Sequence, residues 1–133
     1  MMIKGDAMMV VTGASSGIGF AVASALCAKG IHVIGVGRSR ERSDGAADEI
    51  IRQVPGARIV FEIADLSSQS QVRDLAQRLR DRLKSENGGK LAALINNAGA
   101  VTNWYTATED GYEMQFALNH LAPFLLTHEL LPN

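Results

Sequence analysis

Short apolar runs alternate with longer helical patterns along the chain, and this alternation constrains the fold more than any other feature. Runs at 7–11, 31–36, 58–63 and 91–95 have the length and composition of buried strands. Helical patterns follow at 17–29 and 38–54, then from Ser67 or Ser68 to the "ENGG" at 86–89, and a last helix follows a loop through Trp104. Strands that alternate with long helices predict right-handed crossovers and a parallel sheet covered on both faces. We therefore predict a doubly wound α/β fold.

The apolar positions of the helical patterns predict which side chains are buried. The predicted inner faces are Ile18, Val22, Ala25 and Leu26; Ala46, Ile50 and Ile51; Val72, Leu75, Ala76, Leu79 and Leu83; and Met114, Ala117, Leu118, Leu121 and Leu125. Gly30 is expected to end the first helix in a left-handed conformation, and Pro123 is expected to kink the last.

Composition excludes several classes of protein. A chain of 133 residues with 47% hydrophobic residues and a net charge of -1 predicts one globular domain without the basic patch that nucleic acid or an anionic membrane requires. No apolar stretch reaches the ~20 residues that span a bilayer, and the start "MMIKGDAMMV" does not resemble a signal peptide. Cys27 is the single cysteine, expected to be buried, and we predict a cytoplasmic protein. The three histidines lack metal-site spacing, so no metal is expected.

The turn after the first predicted strand, "VVTGASSGIG", has more glycine than a turn needs. Gly13 permits a tight turn, Gly17 lets a pyrophosphate approach the backbone, and Gly19 lets the helix pack close to the strand. The positive end of the following helix then faces the anion. The alternative is a tight turn without a ligand. A nucleoside triphosphate loop is excluded because no Gly-Lys-Ser/Thr follows.

The end of the second predicted strand, "VIGVGRSR", bears on the choice of cofactor. An acidic residue there would bind the ribose hydroxyls of NAD, but the position is occupied by Arg38, whose planar charge suits a 2′-phosphate. We predict a preference for NADP(H) over NAD(H), with help from Ser39 or Arg40. The alternative for Arg38 is a solvated charge, and for Arg40 and Arg42 we prefer that alternative.

Four motifs in order resemble the short-chain dehydrogenase/reductase family: "TGASSGIG", "ADL" at 64–66, "NNAG" at 96–99 and "LNHLAPFLLT" at 118–127. The resemblance covers essentially the whole chain and implies a Rossmann-type NADP-binding domain over 1–133, truncated after the fourth strand and its following helix. "TEDGYE" at 108–113 is more similar to the branch of retinol dehydrogenase-like and protochlorophyllide reductase-like proteins.

The resemblance also implies roles for individual residues. The implied cofactor-binding residues are Gly13, Ser15, Ser16, Gly17, Ile18, Gly19, Arg38, Ser39, Asp65, Leu66, Asn97, Ala98 and Gly99. Asp65 resembles the acid that binds the adenine amino group, although it can also cap the next helix. Asn97 to Gly99 resemble the segment beside the cofactor ribose, or form a plain polar turn. Asn119 resembles the asparagine of the catalytic tetrad, with bonding to a neighbouring strand as the alternative.

The family's catalytic Ser and Tyr-x-x-x-Lys are not found in this sequence, since Tyr105 and Tyr112 are followed four positions later by Glu109 and Phe116. We therefore expect the cofactor-binding half of an oxidoreductase that transfers hydride between NADP(H) and a carbonyl or alcohol, inactive alone and able to act on a small substrate only with a C-terminal half. The alternative is a non-catalytic dinucleotide-binding or interaction module. We also expect self-association through an exposed sheet edge or the last helix.

Overall fold

Four parallel strands form one sheet in the computed structural model, which describes residues 6–132. The strands are β1 (Met8–Thr12), β2 (His32–Gly37), β3 (Ile59–Ile63) and β4 (Ala93–Ile95), arranged in the order β3-β2-β1-β4. Residues 1–5, which begin the segment predicted not to be a signal peptide, lie outside the described residues, as does Asn133. In register, Val10 of β1 is paired with Ile34 of β2 and with Leu94 of β4. The carboxyl ends of all four strands therefore meet at one edge, and the order of winding reverses between β1 and β4.

Helices cover both faces of this sheet. They are α1 (Gly17–Ala28), α2 (Arg40–Gln53) and α3 (Gln69–Asn87), followed by α4 (Met114–Phe116), a π-helical turn (Ala117–Leu121) and α5 (Ala122–Leu130), which together form the last helix. The predicted doubly wound α/β fold is thus confirmed. Within the described residues, no helix combines the length and the apolar character needed to cross a bilayer.

The alternation of β1 side chains separates two cores. Met8 and Val10 pack with α3 and α5, whereas Met9 and Val11 pack with α1 and α2. The predicted inner face of α3 is confirmed, because all five of its apolar residues are at most 1% exposed.

Two predicted helix faces were partly wrong. On α1 the buried residues are Gly19, Ala23 and Cys27, whereas Ile18 is 76% exposed. Small residues four apart bring α1 close to the sheet, so residue size rather than hydrophobicity selects its inner face. Ile51 on α2 is 47% exposed, because the neighbouring Ile50 already occupies the inner face.

Most of the predicted helix ends are confirmed. Ser68 accepts a hydrogen bond from the Gln71 N–H at the start of α3, and Gly30 adopts a φ of 80° after α1. Pro123 was expected to kink the last helix, and the backbone there changes from the π-helical turn that ends at Leu121 to the α-helical form of α5. The Glu113 carboxylate caps α4, and the N–H groups of Gln115 and Phe116 hold the pKa of this carboxyl below its ordinary value.

Candidate functional site

A groove of about 720 Å³ runs along the edge where the strands end. Its walls come from the four segments that follow β1, β2, β3 and β4, with one residue from the π-helical turn. The lining residues are Gly13, Ser15, Ser16, Ile18, Val36, Gly37, Arg38, Ser39, Arg42, Ala64, Asp65, Leu66, Asn97, Ala98, Gly99, Ala100 and Leu118. The structure therefore brings together all but two of the residues expected to bind cofactor; Gly17 and Gly19 belong to the same turn without lining the groove.

The glycines of the first turn differ in what surrounds them. A Cβ on Gly19 would overlap the Gly13 carbonyl oxygen and lie 2.7 Å from its carbon, so this position allows only hydrogen where α1 meets the turn. Gly17 has a φ of 58°, and a Cβ there would meet nothing within 4 Å, so open space lies beside its backbone. One glycine thus permits close packing and the other leaves room for a ligand.

The start of α1 is open to this groove. Ser16 precedes the helix in an extended conformation, but its side chain accepts no hydrogen bond from the helix. The first N–H groups of a helix have no partners within it, and they carry the positive end of the helix dipole. Ser39, Ser68 and Glu113 cap α2, α3 and α4 in turn. Of these four helix starts, α1 alone presents its N–H groups to the groove without a side-chain cap.

Two arginines line the groove beyond the end of β2. Arg38 follows the strand directly, and Arg42, in the first turn of α2, is exposed to solvent and also lines the groove. Arg40, between them in sequence, points elsewhere, since its guanidinium lies 3.6 Å from the Asp44 carboxylate. Ser39 caps α2 by accepting the Arg42 N–H at 3.2 Å. The position of each arginine around the α2 axis therefore decides that Arg42 lines the groove and Arg40 does not.

Asp65, after β3, is held in a fixed orientation. Its Oδ1 accepts hydrogen bonds from the Ser67 N–H at 3.0 Å and hydroxyl at 2.7 Å. Its own N–H donates to Gln71 Oε1 at 2.8 Å. Asp65 therefore shapes the turn before α3 while Ser68 caps the helix, so a structural role and exposure to the groove coexist.

The segment after β4 is tied to the end of β1 through Thr12. The Thr12 hydroxyl oxygen accepts the N–H groups of Asn97 and Ala98, both at 3.0 Å, and the Asn97 side chain donates to the Thr12 carbonyl at 3.1 Å. Thr12 is 2% exposed. Thr12 was not predicted as a site residue; the available signal in the sequence was a polar side chain at the last position of a buried strand.

The Asn119 side chain is engaged with the loop that follows β4. Its Oδ1 accepts the Ala100 N–H at 2.8 Å, and its Nδ2 donates to the Ala100 carbonyl at 2.7 Å. The residue lies in the π-helical turn, a form of helix that is frequent at functional sites. Trp104 and Tyr105 are more than 70% exposed and do not line the groove. Among residues 6–132, no three His, Cys, Asp or Glu residues cluster in a way that suits a metal ion.

Comparison with known proteins matches this chain to the short chain dehydrogenase family model over residues 7–133. Mouse retinol dehydrogenase 14 is 42% identical, with 92% of this chain and 38% of that protein covered, and its human counterpart is 40% identical, with 92% and 39% covered. This chain thus spans about two fifths of the length of these curated relatives. The relatives confirm the predicted similarity to retinol dehydrogenases.

Solved structures agree in fold. The L-sorbose reductase of Gluconobacter frateurii, in complex with NADPH and L-sorbose, matches with a TM-score of 0.76 and 28% identity, covering 95% of this chain and 46% of that one. A metagenomic short-chain oxidoreductase in complex with NADP matches with a TM-score of 0.76 and 29% identity, covering 96% and 56%. None of these matches supports the alternative of a non-catalytic module. With its sheet order, its glycine turn and a family match from residue 7 onward, this chain belongs to the short-chain dehydrogenase family of oxidoreductases.

Proposed function

We propose that the groove binds a nicotinamide dinucleotide and that 1–133 is the NADP-binding domain of an oxidoreductase. The observation that carries this proposal is the uncapped start of α1, which opens into the groove beside the unobstructed backbone of Gly17. A pyrophosphate supplies the acceptor oxygens for which these N–H groups have no partner within the helix. Ser15, Ser16 and Ile18 line the groove at this point and are assigned to the pyrophosphate.

The remaining groove residues are assigned along the length of the cofactor. Arg38 and Ser39 would hold a 2′-phosphate, and Asp65 would accept the adenine amino group with Leu66 beside the base. Asn97 to Gly99 would lie along the ribose near the nicotinamide. When bound, the nicotinamide ring supplies hydride donation or acceptance. The chain's own part is to bind the dinucleotide, orient it and exclude water from it.

Preference for NADP(H) over NAD(H) rests on charge. Arg38 directly follows β2, where an acidic residue would favour NAD, and no ion pair engages it within the described residues. The solved relatives with NADPH or NADP bound, which share 28–29% of the sequence, point to the same class of cofactor.

For the whole protein we propose hydride transfer between NADP(H) and a carbonyl or alcohol. The retinol dehydrogenases among the relatives are named for an alcohol substrate. We assign proton transfer to neither Tyr105 nor Tyr112, because neither has a lysine four residues later. Asn119 is assigned to the catalytic tetrad, supported by its position in the π-helical turn next to Ala100 of the groove. A cytoplasmic location stays a prediction, based on the single free cysteine.

The test is the affinity for both cofactors before and after Arg38→Asp. The unmodified chain should bind NADPH more tightly than NADH, and Arg38→Asp should weaken NADPH binding by about tenfold or more while sparing or improving NADH. Arg73→Asp makes the same charge change on the exposed side of α3 and should alter neither affinity. Equal affinity of the unmodified chain for the two cofactors, measured by titration calorimetry, would overturn the preference.

We also infer that this chain self-associates. Within the described residues β4 is an edge strand, Phe124 of the adjacent last helix is 66% exposed, and Leu131, the residue after that helix, is 75% exposed. An unpaired strand edge beside an exposed apolar patch favours contact with a second copy. Light scattering at micromolar concentration should show a dimer or larger species, and Phe124→Glu should reduce its population. A strictly monomeric unmodified chain contradicts this inference.

A further inference from the structure

Polar contacts fasten the chain to α3 both before and after the segment that carries Asn119. Before it, the Asp110 carboxylate accepts the N–H of Gln69, the first residue of α3, at 2.8 Å. After it, the Arg80 guanidinium donates to the Glu129 carboxylate at 3.1 Å. The π-helical turn therefore lies between two contacts with the same helix.

The contact that precedes Asn119 belongs to a tight turn at 106–113, which we call the docked turn. The Met114 N–H donates to the Thr106 carbonyl at 2.8 Å, and the Thr108 N–H donates to the Tyr112 carbonyl at 2.7 Å. These bonds close the turn with its own backbone, and the chain then continues directly into α4. Because no loop separates the docked turn from α4, the position of the turn fixes the start of the last helix.

Charge and hydrogen bonding favour the docking of this turn on α3. Asp110 and its neighbour Glu109 both meet the start of α3, where Glu109 bonds the buried Ser68 hydroxyl. The first N–H groups of a helix have no partners within it, and they carry the positive end of the helix dipole. The two carboxylates therefore satisfy this end of α3 and attach the docked turn to it.

Apolar burial holds the segment around Asn119 less firmly than it holds α5. Ala117 is the buried residue of the π-helical turn, whereas Ala122, Leu126 and Leu130 of α5 are buried in the core that α3 shares. Asn119 itself is exposed. A segment with few buried apolar contacts opens at a low cost in free energy, so its position depends on how its two ends are held.

We infer that Asp110 is a positioning residue for Asn119. By docking the turn on α3 it fixes the start of the last helix, so that Asn119 keeps its two hydrogen bonds with Ala100 beside the groove. Asp110 does not line the groove and acts only through the helix. The inference rests on the proposed function, because the role of Asn119 in the catalytic tetrad belongs to that proposal.

The experiment measures amide hydrogen exchange by NMR in the full chain, without cofactor. The probe is the Ala100 N–H, which Asn119 accepts at 2.8 Å, and the N–H of the fully buried Val10 in β1 reports global unfolding. Asp110→Ala should accelerate exchange at Ala100 at least about fivefold more than exchange at Val10. Circular dichroism should show equal folding, because Ser68 still caps α3 in this variant.

Two further variants separate the hydrogen bond from the loss of a charge. Asp110→Asn keeps an oxygen that can accept the Gln69 N–H, so exchange at Ala100 should stay within about twofold of the unmodified chain. Asp81→Ala removes an acid from the exposed side of α3, where it bonds Gln77, and should also leave exchange at Ala100 within about twofold.

Each outcome decides the inference. If Asp110→Ala accelerates exchange at Ala100 and Val10 equally, Asp110 only stabilises the fold, and if it accelerates neither, Ala100 does not depend on the docked turn. The inference fails in both cases, and it also fails if Asp110→Asn or Asp81→Ala acts like Asp110→Ala. The proposed function is judged separately, by NADPH binding to the unmodified chain. If that binding is absent, the proposed function fails, and the role of Asp110 in positioning a catalytic residue fails with it.

Discussion

The start of α1 and the start of α3 lie at the same edge of the sheet, yet they are built in opposite ways. At α3 the Ser68 hydroxyl accepts the Gln71 N–H, and Asp110 from a distant loop accepts the Gln69 N–H at 2.8 Å. Glu109 of the same loop also bonds Ser68. At α1 no side chain caps the helix. The protein thus satisfies one helix start with its own side chains, which stabilises the fold, and leaves the other without a side-chain cap.

A serine pair precedes both helices, so serine content does not explain the difference. Before α1, glycines flank the serines in "GASSGIG", and Gly17 leaves open space at the helix start. Before α3, the serines stand in "DLSSQ", where Ser68 caps the helix. A helix start without a polar cap is less stable, so an uncapped start at this turn favours a binding role over a structural one.

The largest expected effect on stability and binding comes from Gly19→Ala, which overpacks the contact between α1 and the preceding turn. The added Cβ would overlap the Gly13 carbonyl oxygen, so the turn must shift. We expect a loss of about 3 kcal/mol in the free energy of unfolding, the upper part of the range for overpacking, which lowers Tm by roughly 10 °C. NADPH binding should be lost as well. Thermal unfolding followed by circular dichroism and calorimetric titration check the two effects.

Gly45→Ala is the matched control for that substitution. Gly45 lies within α2, and a Cβ there would meet nothing within 4 Å. Alanine is the better helix former, so this variant should gain up to about 1 kcal/mol and bind NADPH normally. A Gly19→Ala chain as stable as the Gly45→Ala chain would show that close packing of α1 is not what Gly19 provides.

The fold could be predicted from sequence because hydrophobic periodicity and glycine positions are local signals. The buried face of α3 was correctly predicted because large apolar residues define it. The buried face of α1 was not, because its residues Gly19, Ala23 and Cys27 are small and are buried by the close approach of the helix to the sheet. Most of the residues that line the groove were predicted from the order of the four family motifs. Thr12 was missed because its role depends on a hydrogen bond to a residue 85 positions away in the sequence.

A smaller effect is expected at the capped helix start. Ser68→Ala removes the acceptor of the Gln71 N–H and the partner of Glu109, so the free energy of unfolding should fall by about 1 kcal/mol, or Tm by roughly 3 °C. NADPH affinity should stay within about twofold, because α3 does not present its start to the groove. Ser85→Ala, on the exposed side of the same helix, should leave both unchanged. If Ser68→Ala instead lowered NADPH affinity at unchanged Tm, the α3 start would serve the ligand as well, and the contrast between the two helices would not separate stability from binding.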